Sequence, residues 1–343
     1  MLEGAAMLSI RELRDRAVIR PIKRAVEDQL LDLPGVTAVD IGEKRTAGRF
    51  TGEQGIVVSV ARKRPADRVW PGTQIPPDVL GIPTDVIEEK PLLQHVHTCA
   101  EESVALRGRG FAHDGAVTGG DGLAPCRSVQ LAPPDARYAG RYRRTGTLGA
   151  LVVGHPPAVA TMGLTTFDVA CLDDGWAVGD RMVDPDTGHV YADLARGALS
   201  GRVDAAAVTL GRGVGHSPVI PGIGPVTGQC AAYPGEQVRK CGYGSGVTSG
   251  VVTSVDVTVR VDHGAALGVR VLREQIRIDC PPGGGCFLRV GDAGGAVVND
   301  DGRVVGLLFA GTRSGMTGFA SPIADVLAEL DVELCVLHRQ LPV

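Results

Sequence analysis

The residues with the clearest chemical signature form a glycine-rich stretch, "VGDAGGAVV", at residues 290–298. Gly291, Asp292, Gly294 and Gly295 surround Ala293. Glycine permits a tight turn and lets another backbone approach closely. A loop of this form can present a nucleophilic serine to a carbonyl group. Because alanine has no atom that could attack, the stretch indicates either a lost nucleophile or a glycine turn in an unrelated β protein.

The elements that would position this turn are mostly strands. Short valine-rich runs separated by glycine recur from about residue 146 to residue 318, which predicts a β-sandwich or a pair of β-barrels. Ahead of them, apolar residues at three- and four-residue spacing predict a helix over residues 9–32, followed by three strands. Near the other end, Ser321 could cap a final helix whose first position suits Pro322.

These patterns predict three parts of the chain. We expect residues 1–93 to form a small α+β unit that buries little on its own. Residues 94–145 have no period and many glycines, which indicates an irregular linker or an extended arm. Residues 146–343 are predicted to form the strand-rich domain, closed by the final helix.

Composition excludes several classes of function. The chain has 35 Lys+Arg and 39 Asp+Glu, a near-balance that gives no sign of a nucleic-acid partner. No run approaches the roughly 18 apolar residues of a membrane span, and no secretory signal is visible, so we expect a cytoplasmic protein without a membrane partner. The 8 cysteines include no C-x-x-C pair, and we expect reduced thiols, no metal site and no cofactor.

Several motifs occur in an order that is more specific than any one of them. Together they resemble the trypsin-like serine protease superfamily. More narrowly, they resemble its intracellular branch, which includes the plant narrow-leaf protein and bacterial relatives. The resemblance implies a mostly β fold: a double six-stranded β-barrel of chymotrypsin type, with a small N-terminal α+β domain and a C-terminal helix. The motifs are "GTLGALVV" (146–153), "VGDRMVDP" (178–185), "VDAAAV" (203–208), "VRKCGYGSGVTSGVV" (238–252) and "VGDAGG" (290–295).

The resemblance also implies a role for individual residues. Ala293 matches the nucleophilic serine, Asp204 matches the aspartate that orients the histidine, and Asp168 falls where that histidine would be. The oxyanion hole would be formed by the backbone N–H groups of Gly291 and Ala293, which do not depend on the missing hydroxyl. Asp292, Gly294 and Gly295 would line the cleft beside it. Two of the three catalytic positions are therefore predicted to be substituted.

Two buried carboxylates in one cleft would repel each other. If Asp168 and Asp204 face each other, one should be protonated or paired with a base. An aspartic-type dyad that activates one water would need both carboxylates aimed at it, which we consider the weaker alternative.

Other histidines offer alternative bases or ligands. His155 lies about a dozen residues before position 168 and suits a hairpin tip. His263 flanks a turn. His95 and His97 alternate as on a strand and could be metal ligands, although a hydrogen-bonded or exposed pair is the simpler interpretation.

Two functional hypotheses follow. In the first, the chain is a catalytically inactive homologue that binds a peptide or protein partner in the remnant cleft. In the second, it is an active intracellular serine endopeptidase, and the serine of position 293 has been replaced by alanine in the printed sequence. Both hypotheses are compatible with a homo-oligomer.

Overall fold

The computed structural model describes residues 9–46, 49–99, 115–133, 136–155, 159–281 and 283–337. Strands dominate these residues. The described α-helices lie near the two ends of the described chain and in one short turn between strands, and a 3-10 helix spans Ala66–Arg68. None of the described helices is long and apolar enough to cross a membrane.

The first half of the described chain begins with a helix and continues as strands. Ser9 caps the helix, because its side chain accepts the N–H of Glu12 while the Glu12 carboxylate accepts the N–H of Ser9. In chain order the elements are α1 (Ile10–Leu31), β1 (Val36–Thr46), β2 (Arg49–Val60), β3 (Asp78–Val79), β4 (Ile82–Glu88), β5 (Leu92–Leu93), β6 (Val96–Cys99), β7 (Gly122–Pro125), β8 (Val129–Leu131), β9 (Gly140–Thr147), β10 (Leu151–Gly154), β11 (Thr161–Thr165) and α2 (Phe167–Ala170).

The second half is built almost entirely of strands and ends in a helix and a short strand. Its elements are β12 (Arg181–Val183), β13 (Val190–Leu199), β14 (Asp204–Leu210), β15 (Val219–Ile220), β16 (Gly224–Pro225), β17 (Gly228–Gln229), β18 (Gln237–Gly242), β19 (Gly246–Asp262), β20 (Val269–Asp279), β21 (Ala296–Asn299), β22 (Arg303–Gly311), β23 (Thr317–Pro322), α3 (Ile323–Leu330) and β24 (Val332–Leu334).

Six of the described strands pair in a closed ring. Each neighbour is antiparallel, in the order β18, β21, β22, β23, β20 and β19, and β19 returns to β18. The ring encloses a core of aliphatic and aromatic side chains that includes Ile276, Phe287 and Leu308. This ring is one of the two predicted barrels.

The 17-residue strand β19 serves two partners. Its first part pairs with β18, so that Val251 lies opposite Gln237, whereas its later part pairs with β1, so that Val259 lies opposite Ala38. Through β1 the sheet continues to β2 and β4. The N-terminal α+β unit is therefore an extension of the ring's own sheet, with α1 packed over it.

A second sheet forms the other half of the strand-rich region. It runs in the order β24, β10, β11, β14, β13, β12, β7, β9 and β6, and the pairing of the described strands leaves it open at its ends. Its core side chains include Leu151, Leu164, Val208 and Met182. The site described below lies where this sheet meets the ring.

The mostly β fold predicted from the sequence is confirmed, with an N-terminal α+β unit, a C-terminal helix and two strand-rich halves, of which the ring is closed and the second sheet is open in the described residues. Two local predictions were wrong. Residues 94–145 were expected to be an irregular linker or extended arm, yet their described part contains β6, β7, β8 and most of β9. The first three strands have at most 4 residues each, and β9 is rich in glycine and arginine, so no apolar alternation marks them. Residues 100–114 and 134–135 of that segment lie outside the described residues.

The second correction concerns the cap of the final helix. The N-cap of α3 is Pro322, which offers no side-chain hydrogen bond. Ser321 is fully buried, and its hydroxyl donates to Gln275 Oε1 at 3.0 Å. A buried hydroxyl must find a partner, and here the partner lies in the core and not at the helix end.

Candidate active site

The turn that carries Ala293 is held in shape by the carboxylate of Asp292. Oδ1 accepts the N–H groups of Gly244 and Ser245, each at 3.0 Å. Oδ2 accepts the N–H of Arg289 at 2.8 Å, the hydroxyl of Ser245 at 2.7 Å and the ammonium of Lys240 at 2.7 Å. The Lys240 and Asp292 side chains are both fully buried. Burial lowers the pKa of Lys240, and the neighbouring Asp292 only partly offsets that effect.

Two backbone N–H groups of this turn converge on one oxygen. Gly291 donates to the carbonyl oxygen of Gln94 at 2.6 Å, and Ala293 donates to the same oxygen at 3.3 Å. Gly291 has a φ of +99°, a conformation that residues with a side chain rarely adopt. Ala293 itself is fully buried. The two groups predicted to form an oxyanion hole therefore hold a carbonyl oxygen of the same chain.

Gln94 belongs to an extended segment, residues 92–99, that we call the cis segment. Its first residues form β5, in which Leu92 and Leu93 pair antiparallel with Gly311 and Ala310 of β22. The Gln94 N–H donates to the Phe309 carbonyl at 3.3 Å. The remainder forms β6, which pairs with β9 of the second sheet. The cis segment thus runs from the ring to the second sheet, directly over the turn.

Asp204 is fully buried and paired with a histidine. Its Oδ2 lies 2.9 Å from Nε2 of His263, whose Nδ1 lies 3.3 Å from the Val261 carbonyl oxygen. Burial alone would lower the pKa of His263, but the hydrogen bond to Asp204 and the charges of Asp204 and Asp168 outweigh it and raise that pKa. Oδ1 of Asp204 accepts the N–H of Phe167 at 2.8 Å.

Asp168 is equally buried and has bases of its own. Its Oδ1 lies 2.5 Å from a guanidinium nitrogen of Arg144, and its Oδ2 forms a short contact with Nδ1 of His95. Nε2 of His95 lies 3.0 Å from Nε2 of His97. Burial would raise the pKa of Asp168, but the charges of His95 and Arg144 and the His95 hydrogen bond hold it well below its usual range.

The structure brings the predicted residues together. The Asp168 backbone nitrogen lies 3.5 Å from Oδ1 of Asp204, so the two residues are adjacent. Each carboxylate is paired with a base, which is one of the two outcomes expected for like charges in one cleft. Gly294 and Gly295 lie in the same turn: the Gly294 N–H donates to the Leu308 carbonyl at 2.7 Å.

Sequence reasoning missed the side chains that neutralise the two acids. His263 was interpreted as a residue beside a turn, and no pattern singled out Arg144. The alternation of His95 and His97 was the available signal, and their rings do contact each other. His155 lies elsewhere, 3.8 Å from Asp331. Among the described residues, no group of three or more His, Cys, Asp or Glu side chains is arranged so that it could hold a metal ion.

Comparison with known proteins gives structural neighbours only. No family model and no curated protein matches the chain. Thermobifida fusca Protease A is 22% identical, with a TM-score of 0.47, and the match covers 65% of this chain and all of that one. A glutamic acid-specific serine protease is 17% identical over 64% of this chain and all of its own, with a TM-score of 0.46. Cellulomonas bogoriensis chymotrypsin is 21% identical over 65% of this chain and all of its own, with a TM-score of 0.43.

Proposed function

We propose that this chain is a catalytically inactive homologue of the trypsin-like serine proteases that binds an extended peptide or protein segment in its remnant cleft. One observation carries the proposal: the N–H groups of Gly291 and Ala293 hold the carbonyl oxygen of an extended strand, beside a residue with no nucleophile. An oxyanion hole acts by such donors.

The candidate bases for a nucleophile at position 293 already form hydrogen bonds with other groups. A serine nucleophile needs a base within hydrogen-bond reach. Position 168 offers a carboxylate that is bound to Arg144 and His95. Both ring nitrogens of His263 lie beside oxygen acceptors, one of which is Asp204. Binding therefore has structural support here that proton transfer lacks.

The partner would lie along the edge of β22, where β5 lies now. Main-chain hydrogen bonds to a strand edge provide affinity for extended segments largely independently of their side chains. Such a partner is a peptide or the exposed segment of another protein.

The test is a peptidase assay combined with labelling by a fluorophosphonate, which reacts with an activated serine. The assay compares the unaltered chain, Ala293→Ser, and Ala293→Ser combined with Asp168→His. We expect no turnover and no labelling for the first two proteins. Turnover by the unaltered chain would overturn the proposal.

The second candidate is an active serine endopeptidase whose serine was replaced at position 293. The observation in its favour is the placement of the Gln94 carbonyl in the hole, because a serine at 293 would face the bond between Gln94 and His95. Labelling of Ala293→Ser alone, or its self-cleavage into residues 1–94 and 95–343 in a mass spectrum, would establish this candidate in place of the first.

A further inference from the structure

We propose that the cis segment is an internal ligand whose sequence defines the peptides that the cleft accepts: extended segments with glutamine at the carbonyl position and histidine directly after it. This inference rests on the proposed function, since it specifies what the remnant cleft binds and how access to it is controlled.

Recognition of glutamine follows from the contacts of Gln94. The residue is only 3% exposed. Its side-chain Nε2 donates to the Gly311 carbonyl at 3.2 Å and to the Leu92 carbonyl at 3.0 Å. These partners are acceptors only. A glutamate here would place carboxylate oxygens against carbonyl oxygens in a buried site, so the amide should be strongly preferred over the acid.

The next position favours an imidazole for an electrostatic reason. His95 contacts Oδ2 of Asp168, the oxygen that Arg144 leaves open. A side chain that can donate a hydrogen bond there meets a buried carboxylate, and charge-assisted hydrogen bonds are the stronger kind. Alanine at this position would leave that oxygen without the partner it has now.

Tethering explains why a free peptide should be excluded from the unaltered chain. The cis segment follows shortly after β4, which ends at Glu88, and is part of the same polypeptide. A tethered ligand acts at an effective concentration in the millimolar range, so a free peptide must compete against it. The segment's hold on the ring is short, because β5 has only 2 residues. Weakening it should open the cleft.

The experiment measures binding of a fluorescein-labelled heptapeptide, LLQHVHT, which copies residues 92–98. Fluorescence anisotropy is recorded with the full unaltered chain, with Gln94→Ala, and with the matched control Gln130→Ala, whose side chain is exposed on β8. Gln94→Ala removes the side-chain hydrogen bond to Gly311 on the ring and the one to Leu92 within the segment, which should weaken the hold of the cis segment by about tenfold. We therefore expect Gln94→Ala to bind the peptide about tenfold more tightly than the other two proteins.

The peptides LLEHVHT and LLQAVHT test the recognition itself. Both should bind Gln94→Ala at least about tenfold more weakly than LLQHVHT, since each loses buried hydrogen bonds. If all three bind Gln94→Ala alike, or if Gln94→Ala gains no affinity, the inference is wrong and the proposed function stands. If no peptide of a random heptapeptide pool binds Gln94→Ala, the proposed function fails as well.

A second variant covers a folding failure of Gln94→Ala, which circular dichroism would reveal. His95→Ala removes the contact between the cis segment and Asp168 and should give the same gain in affinity for LLQHVHT. Hydrogen exchange of residues 289–295 in the unaltered chain adds a measurement without substitution. Protection of the Gly291 and Ala293 amides supports an occupied hole, and rapid exchange of both contradicts it.

Discussion

The two walls of the cleft differ in what they preserve. One wall, residues 289–295 with the edge of β22, acts through backbone groups: N–H donors and a ladder position. The other wall, formed by Asp168 and Asp204 with their bases, acts through side chains. Under the proposed function, alanine in place of serine at position 293 leaves the first wall's donors in place, whereas aspartate in place of histidine at position 168 adds a buried negative charge to the second wall. The proposed function therefore assigns peptide binding to the first wall.

The largest expected effect would break the first wall. Asp292→Ala removes the partner of the buried Lys240 and of several donors in the turn. Removing one member of a buried ion pair costs about 3–5 kcal/mol. Urea unfolding should show a loss of that order. The control is Asp300→Ala, which removes a carboxylate that is 76% exposed and should change the free energy of unfolding little. Equal losses in the two variants would contradict the assigned role of Asp292.

The next effect concerns Asp204 in the second wall. His263→Gln should lower the free energy of unfolding by about 3 kcal/mol at pH 6, because it leaves a buried carboxylate without its cationic partner. The pKa of His263 is raised in the folded state. The pair's contribution is thus complete below the ordinary histidine pKa of about 6.5 and is lost as the pH rises through the higher folded value.

The measurement for that prediction is a series of urea unfolding curves between pH 5 and pH 9. The stability gap between the unaltered chain and His263→Gln should narrow with rising pH. His155→Gln is the control, since that side chain is partly exposed. A gap that is constant with pH would show that His263 contributes by packing alone.

A smaller effect is expected at Asp168, whose partners are shared with the cis segment. Asp168→Asn should cost about 2 kcal/mol, since a neutral amide can keep part of the hydrogen bonding to Arg144 and His95. The pKa of Asp168 is lowered in the folded state, so its contribution is present above about pH 3.9 and is lost as the pH falls through the lower folded value.

Hydrogen exchange should localise the Asp168→Asn effect to residues 95–99. The exposed Asp174→Asn is the control for a general charge effect. Exchange that rises equally across the ring strands would show that Asp168 stabilises the fold as a whole and not the cis segment.

The smallest effect sharpens the comparison between the walls. Ala293→Ser should change the free energy of unfolding by less than about 1 kcal/mol, because it adds one hydroxyl to a buried site. Under the proposed function, Ala293→Ser should also show no fluorophosphonate labelling, because position 168 in the second wall still has no histidine to act as the base. Urea unfolding and fluorophosphonate labelling of the same preparation measure both results.

The sequence was sufficient for the parts of the fold that repeat a pattern. The helix α1, the turn at Ala293 and most of the ring strands were predicted from periodicity and glycine spacing, whereas β23 was not, because its last residues were taken as the start of the final helix. The order of motifs assigned catalytic positions to Asp168 and Asp204, and those assignments stay predictions. Contacts between distant residues were out of reach: His263 meets Asp204 from 59 positions away.

The cis segment was missed for a different physical reason. Its main interactions run from the backbone of Gln94 to the backbone of Gly291 and Ala293, and backbone contacts leave no mark on residue type. In the sequence only the alternation of His95 and His97 distinguishes the segment, and that pattern does not indicate where the segment lies.

Because β19 pairs with both β18 and β1, the chain cannot be shortened at its N-terminal end without exposing part of this strand. Thr258, in its later part, bonds to Lys23 and Glu27 of α1, all of them buried. Removing residues 1–93 would leave main-chain N–H and C=O groups of β19 without their partners in β1. Unpaired strand edges of that kind can pair with other chains. We therefore expect the amino-terminal residues to protect β19 from aggregation. A shortened chain should precipitate under conditions in which the full chain remains in solution.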